Sequence, residues 1–149
     1  MKVSSILLCI TLIYSQSLQA NEEDRKEVKR VSLGYLIALQ QLKPELMAEV
    51  MHPNLAKRTS YMDSETGKGM LHDTSYKEMI KYAKSWNINK DKFPKSPTNE
   101  VYILDIQAGM ASVKLESDNW YEYLHLVKID NHWKIVNLYW QRHPKNQKD

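Results

Sequence analysis

The stretch Glu100–Gln141, EVYILDIQAGMASVKLESDNWYEYLHLVKIDNHWKIVNLYWQ, decides the fold. Four runs rich in β-branched and aromatic residues, Glu100–Gln107, Met110–Ser117, Trp120–Ile129 and His132–Gln141, are separated by Ala108-Gly109, Asp118-Asn119 and Asp130-Asn131. Each separating pair suits a two-residue hairpin turn, so the last third reads as a four-stranded antiparallel meander. Two-residue turns also fix the register, with Gln107 opposite Met110, Ser117 opposite Trp120 and Ile129 opposite His132. Opposite residues share a face of the sheet. One face then collects Tyr102, Leu104, Ile106, Ala111, Val113, Leu115, Glu122, Leu124, Leu126, Trp133, Ile135, Asn137 and Tyr139. The other collects Val101, Ile103, Asp105, Ser112, Lys114, Glu116, Tyr121, Tyr123, His125, Val127, Lys134, Val136, Leu138 and Trp140. The first set is mostly apolar and is expected to pack on helices. A β-bulge would move the later part of a strand to the opposite face.

Those helices lie upstream. Val28, Val31, Tyr35, Ala38, Leu39 and Leu42 form one apolar stripe, which predicts a helix over Glu22–Leu42. Lys43, preceding Pro44, is pushed towards extended backbone and breaks it. Pro44 can open a short second helix carrying Leu46, Met47, Val50 and Met51, which Pro53 is expected to end. A strand over Asn54–Met62 and a polar loop over Asp63–Gly69 follow. Ser75-Tyr76-Lys77-Glu78 has capping-box spacing and starts a third helix, whose inner stripe is Tyr76, Met79, Ile80, Ala83 and Trp86. Asn87–Thr98 carries two prolines and reads as a loop. The fold class is α+β, with N-terminal helices against a mainly antiparallel sheet.

Residues 1–20 read as a secretory leader. Lys2 precedes a mostly apolar run from Val3 to Tyr14, and Leu18-Gln19-Ala20 offers a small-residue cleavage site. The run is shorter than the ~20 apolar residues that a spanning helix needs, so no membrane association is expected after cleavage. The remaining Asn21–Asp149 suits one domain, exported to the periplasm or outside the cell. Cys9 is the only cysteine and leaves with the leader, which excludes a disulfide, a thiol nucleophile and a thiolate metal site from the mature chain. The formal net charge is +3, with basic residues scattered except for Arg142, Lys145 and Lys148 in the tail. No basic stripe interleaved with aromatics suggests nucleic-acid binding. The five histidines show no metal-ligand spacing, and neither a P-loop nor a nucleophile elbow is present. No metal and no cofactor are expected.

Two stretches carry a family resemblance. Met51-His52-Pro53-Asn54-Leu55 resembles the Phe-His-Pro-Asp-Ala segment of the putative lumazine-binding family. Glu122–Asn137, EYLHLVKIDNHWKIVN, resembles that family's Asp-Tyr-Leu-x-Leu-x-Lys-Ile-x-Gly-x-Trp-Lys-Ile-Val-Asn ending. Met51, Asn54, Glu122 and Asn131 depart from the pattern, and Asn54 in place of Asp removes any acid–base role there. The resemblance implies the cone-shaped nuclear-transport-factor-2-like (SnoaL-like, cystatin-like) fold, with helices in the concave face of a curled sheet. That superfamily includes isomerases, dehydratases, hydrolases and non-enzymatic binders.

Glu122 is the most informative single residue. A carboxylate on an apolar face has its pKa raised by desolvation and suits a general base or acid; a structural bond to Tyr139 across the hairpin would also explain it. His52 is the candidate second catalytic group, or else satisfies backbone atoms in a His-Pro turn. Tyr35, Tyr61, Trp86, Tyr102, Asn137 and Tyr139 are candidates to line a pocket for a small flat or heterocyclic ligand, with plain core packing as the alternative. Three functions stay open: a small-molecule-binding domain, a proton-transfer enzyme of isomerase or dehydratase type, and a structural homodimer. The dimer would form through Tyr121, Tyr123, Val136, Leu138 and Trp140, unless the tail or the loop at Phe93 covers that face.

Overall fold

Three helices precede or interrupt a single sheet in the computed structural model, which describes the backbone of residues 3–143 and the side chains of residues 22–143. The leader's side chains and the basic tail residues Lys145 and Lys148 lie outside the described residues. The order is α1 (Val3–Gln40), α2 (Pro44–Val50), β1 (Met51–Met62), β2 (Gly69–Thr74), α3 (Tyr76–Ser85), β3 (Asn99–Gln107), β4 (Met110–Ser117), β5 (Trp120–Ile129) and β6 (His132–Arg142). No helix among the described residues is long and apolar enough to cross a membrane.

The helix stripes are as expected from the 3.6-residue period. Val28, Val31, Tyr35, Ala38 and Leu39 of α1 are buried, joined by Ser32 and Leu36. Leu42 lies past the helix end in left-handed backbone, with φ 55°. A Cβ on Gly34 would come within 2.9 Å of Val50 Cγ1, so the missing side chain lets α1 and α2 touch. Ser75 and Glu78 complete the reciprocal cap of α3, with Glu78 N–H donating to Ser75 Oγ (3.3 Å) and Ser75 N–H to Glu78 Oε2 (2.7 Å).

Several upstream boundaries differ from expectation, and the first helix runs from Val3 to Gln40 where the apolar stripe predicts Glu22–Leu42. The second helix stops at Val50, and Pro53 lies inside β1. It is tolerated there because the ladder between β1 and β6 is irregular from Met51 to Ala56, where a missing N–H costs no bond. Gly69–Thr74 is a strand, antiparallel to β1, with only Thr74 buried. A solvent-facing edge strand has no apolar alternation to announce it.

The sheet runs β2-β1-β6-β5-β4-β3, with β1 and β6 parallel and every other pair antiparallel. Ala108-Gly109 and Asp130-Asn131 all have positive φ, as two-residue hairpins of the primed type require. The β4–β5 register is as read from sequence throughout. The other two hairpins each contain a bulge, and these bulges correct the face assignment. In β3 the register shifts between Ile103 and Asp105. Val101 and Ile103 therefore turn inward, while Tyr102 and Leu104 are exposed (45% and 57%). In β6, Leu126 pairs with Ile135 but His125 pairs with Asn137, so Val136 is the extra residue. Beyond it Leu138 is buried and Trp140 lies opposite Glu122, while Asn137 and Tyr139 turn outward. Leu138 and Trp140 thus belong to the inner face, and the outward dimer patch expected to contain them does not exist in that form. Bulges add local twist and bend, which suits a sheet curling over helices.

Candidate functional site

A cavity of about 280 Å3 opens between α1, α3 and the inner face of the sheet. Leu36, Leu39 and Met79 supply its apolar side, and Tyr82, Trp86, Trp120 and Trp140 its aromatic side. Trp86 and Trp120 lie 5.8 Å apart between ring centroids, and Phe93, reaching in from the 87–98 loop, contacts both (5.7 and 5.4 Å). Buried Asn87 fixes that loop by donating to Gln40 O (2.9 Å) and accepting from Lys92 N–H (3.2 Å). The aromatic wall is therefore attached to the end of α1.

Three buried polar side chains lie beside this wall. Lys57, from β1, donates to Tyr35 Oη (2.5 Å), and Tyr35 donates to Glu122 Oε1 (2.8 Å). Lys57 Nζ is also 3.6 Å from the same carboxylate oxygen. Its charge is further contacted by the Tyr35 and Trp140 rings, with centroids 4.8 and 5.5 Å away. Burial pushes the Glu122 carboxyl up, against the opposing pull of Lys57 and Tyr35. Burial likewise pushes Lys57 down, although Glu122 works against it. Burial and then the Glu122 charge push the Tyr35 hydroxyl well up, so it stays protonated as the bridge. Two buried polar atoms on this wall have no hydrogen-bond partner among the described residues: the acceptor Glu122 Oε2 and the donor Trp140 Nε1. Glu122 and Trp140 are cross-strand partners and both line the cavity. Two residues that line the cavity thus carry a buried acceptor and a buried donor that protein atoms leave unused.

The sequence profile of a family described as putative lumazine-binding matches residues 23–141. The chain belongs to the putative lumazine-binding family. Solved structures show the same fold. A nuclear-transport-factor-2-like protein of unknown function from Silicibacter pomeroyi DSS-3 is 13% identical, with TM-score 0.66, covering 83% of this chain and 98% of its own. A similar protein of unknown function from Methylobacillus flagellatus KT is 20% identical, with TM-score 0.61 and coverage of 81% and 93%. A putative scytalone dehydratase from Novosphingobium aromaticivorans DSM 12444 is 17% identical, with TM-score 0.53 and coverage of 85% and 88%. At such identities the likeness carries the fold alone. No curated protein matches the sequence.

Within this member of the putative lumazine-binding family, the cavity brings together Glu122, Tyr35 and Trp86 of the residues expected from sequence. The others are elsewhere. His52 Nδ1 accepts from Asn54 N–H (3.1 Å), the local turn role, and does not line the cavity. Tyr61 is half exposed near the end of β1. Tyr102 points outward and bonds Glu100. Asn137 borders a second cavity, of about 360 Å3, beside Ser112 and His125. Tyr139 donates outside the cone to Ser60 Oγ (2.6 Å). Glu122 therefore has Tyr35 and Lys57 as partners, not Tyr139. Sequence reasoning missed Lys57, Trp120 and Trp140, as well as His72, Thr74 and Arg142 at the cavity. Lys57 had a usable signal, since it alternates with buried Leu55 and so falls on the inner face of β1. Trp140 had none, because only the Val136 bulge turns it inward.

Proposed function

We propose that the domain binds a small, flat, partly polar molecule in the cavity beside Glu122. The observation that carries this reading is the unused pair Glu122 Oε2 and Trp140 Nε1. Buried polar atoms are costly unless satisfied, and a lactam-edged heterocycle carries both the N–H donor and the C=O acceptor that these two atoms lack. Lumazine carries such an edge, and the family's description supports it as the first ligand to try. Trp86 and Trp120 supply aromatic surface along the cavity for such a ring to pack against.

The test uses protein recovered after export, whose mass should be that of Asn21–Asp149 if the leader is cleaved after Ala20. Titrating it with lumazine and related lactam heterocycles should give saturable quenching of tryptophan fluorescence. Trp140→Phe removes one hydrogen bond and should weaken binding about tenfold. Absence of saturable binding across the whole set at millimolar concentration would refute the reading.

A second reading, proton-transfer catalysis, is supported by the continuous Lys57–Tyr35–Glu122 chain. Here Glu122 is the acid or base, and Lys57 and Tyr35 replace His52 and Tyr139 as its partners. Conversion of the bound ligand, as opposed to its unchanged release, separates this reading from simple binding.

Self-association through the outer face also remains a proposal, now with different residues. Tyr102, Lys114, Tyr123, Tyr139 and Arg58 fall in one row across five strands, and the three tyrosines are 40–53% exposed. Tyrosine and arginine are enriched at interface centres. Sedimentation should show a dimer that Tyr123→Glu dissociates; a wild-type monomer at high micromolar concentration would end this proposal.

A further inference from the structure

We propose that Lys57 is a covalent capture site, whose amine forms a reversible imine with a small aromatic aldehyde or ketone held in the cavity. The inference rests on the cavity being a ligand site and adds a reaction to it. Lys57 is 8% exposed, lines the cavity and has its Nζ 4.8 and 5.5 Å from the Tyr35 and Trp140 ring centroids. A lysine taken out of water in this way is the kind that serves as a nucleophile.

The hydrogen-bond chain supplies what the reaction needs. Moving one proton from Lys57 through Tyr35 to Glu122 turns ammonium and carboxylate into free amine and carboxylic acid, with no change in net charge. Burial lowers the cost of reaching that neutral pair from the ion pair, because desolvation penalises both charges. The directions in which burial moves Lys57 and Glu122 agree with it. Glu122 Oε1 accepts from Tyr35, and Oε2 is left for the ligand. Trp86 and Trp120 line the cavity with aromatic surface, and about 280 Å3 accommodates a small aromatic ring.

The steps balance. The Lys57 lone pair forms the C–N bond while the carbonyl π electrons move to oxygen, which takes the Glu122 proton. The adduct's N–H proton returns through Tyr35 to the carboxylate. Glu122 then protonates the hydroxyl, and water leaves as the nitrogen lone pair closes the C=N bond. The products are water and a protonated imine beside the Glu122 carboxylate, so the buried charges remain paired.

The test incubates the full chain with benzaldehyde and sodium cyanoborohydride at neutral pH, followed by intact mass and peptide mapping. The expected result is one benzyl group, on Lys57, added well before any surface lysine reacts. Benzyl alcohol, which fits the same space but has no carbonyl, should slow the addition and quench tryptophan fluorescence. Lys57→Arg should lose the fast addition. Glu122→Gln, which keeps the amine, should slow it by about a hundredfold, the usual size of one acid–base group. Because the wild-type map locates the adduct directly, the proposal does not depend on either variant folding. Benzyl groups spread over exposed lysines, with benzyl alcohol still binding, would overturn the imine and leave the binding site standing. Failure of both labelling at Lys57 and benzyl alcohol binding would overturn both.

Discussion

Replacing Lys57 by Met should lower the free energy of unfolding by about 3–5 kcal/mol at neutral pH, the range for removing one member of a buried ion pair. Glu122 is 2% exposed, and the change leaves its charge with Tyr35 as the only bonded partner. Removing both charges should be far milder. Lys57→Met combined with Glu122→Leu fills the same space with apolar groups and should recover most of the loss. The sign of the pH effect is also fixed. Burial already raises the Glu122 carboxyl, and loss of Lys57 removes a group that opposes the rise. A carboxyl raised in the folded state contributes stability that is present below its unfolded pKa, ~4.3, and is lost as pH rises through the folded value. The single variant should therefore lose part of its deficit on acidification towards pH ~5. Urea titrations at both pH values measure this. A neutral-pH loss below about 1 kcal/mol, the scale of an exposed pair, would show that water reaches the network.

Leu138→Asp should abolish the folded state, whereas Asn137→Asp one residue earlier should change stability by no more than about 0.5 kcal/mol. Leu138 is 2% exposed and packed in the core, with Leu124 as its partner on β5 and Lys57 as its partner on β1, and Lys57 is already held by Tyr35 and Glu122. The lost apolar burial and a second buried carboxylate competing with Glu122 for Lys57 together rival the whole stability of a small domain, about 5–15 kcal/mol. Asn137 is already polar and faces solvent. Circular dichroism and denaturant melts of the two variants test the Val136 bulge directly. A register without that bulge would exchange the two outcomes.

What could be read from sequence divides along the same line. Ser75 with Glu78, Asp130 with Asn131, and the α1 stripe are local devices, each contained within a turn or two of chain, and the structure retains them. Leu104 and Val136 carry no local mark of a bulge, because the bend they allow is required by helices elsewhere in the chain. Every face assignment beyond them inverted for this reason, including Tyr102, Asn137, Leu138, Tyr139 and Trp140. Glu122 survived because β4 and β5 pair without interruption. Its partners did not emerge, since Tyr35 comes from α1 and Lys57 from β1, and no spacing rule connects those elements to β5. The β2 strand was invisible because its pairing with β1 is held by backbone bonds with little buried side chain.

The parallel seam between β1 and β6 sets the order in which the domain can assemble. β3 to β6 are joined by tight turns, so their pairing requires little loop closure, whereas the seam joins Arg58 to Tyr139 across most of the domain. Such long-range contacts close late and slow folding. Lys57 reaches Glu122 only when that seam forms. The contact of Lys57 with Glu122 is thus expected to form late, with the closure of the seam. A chain emerging N-terminus first has no route to its own pocket before residue 139 is free to pair.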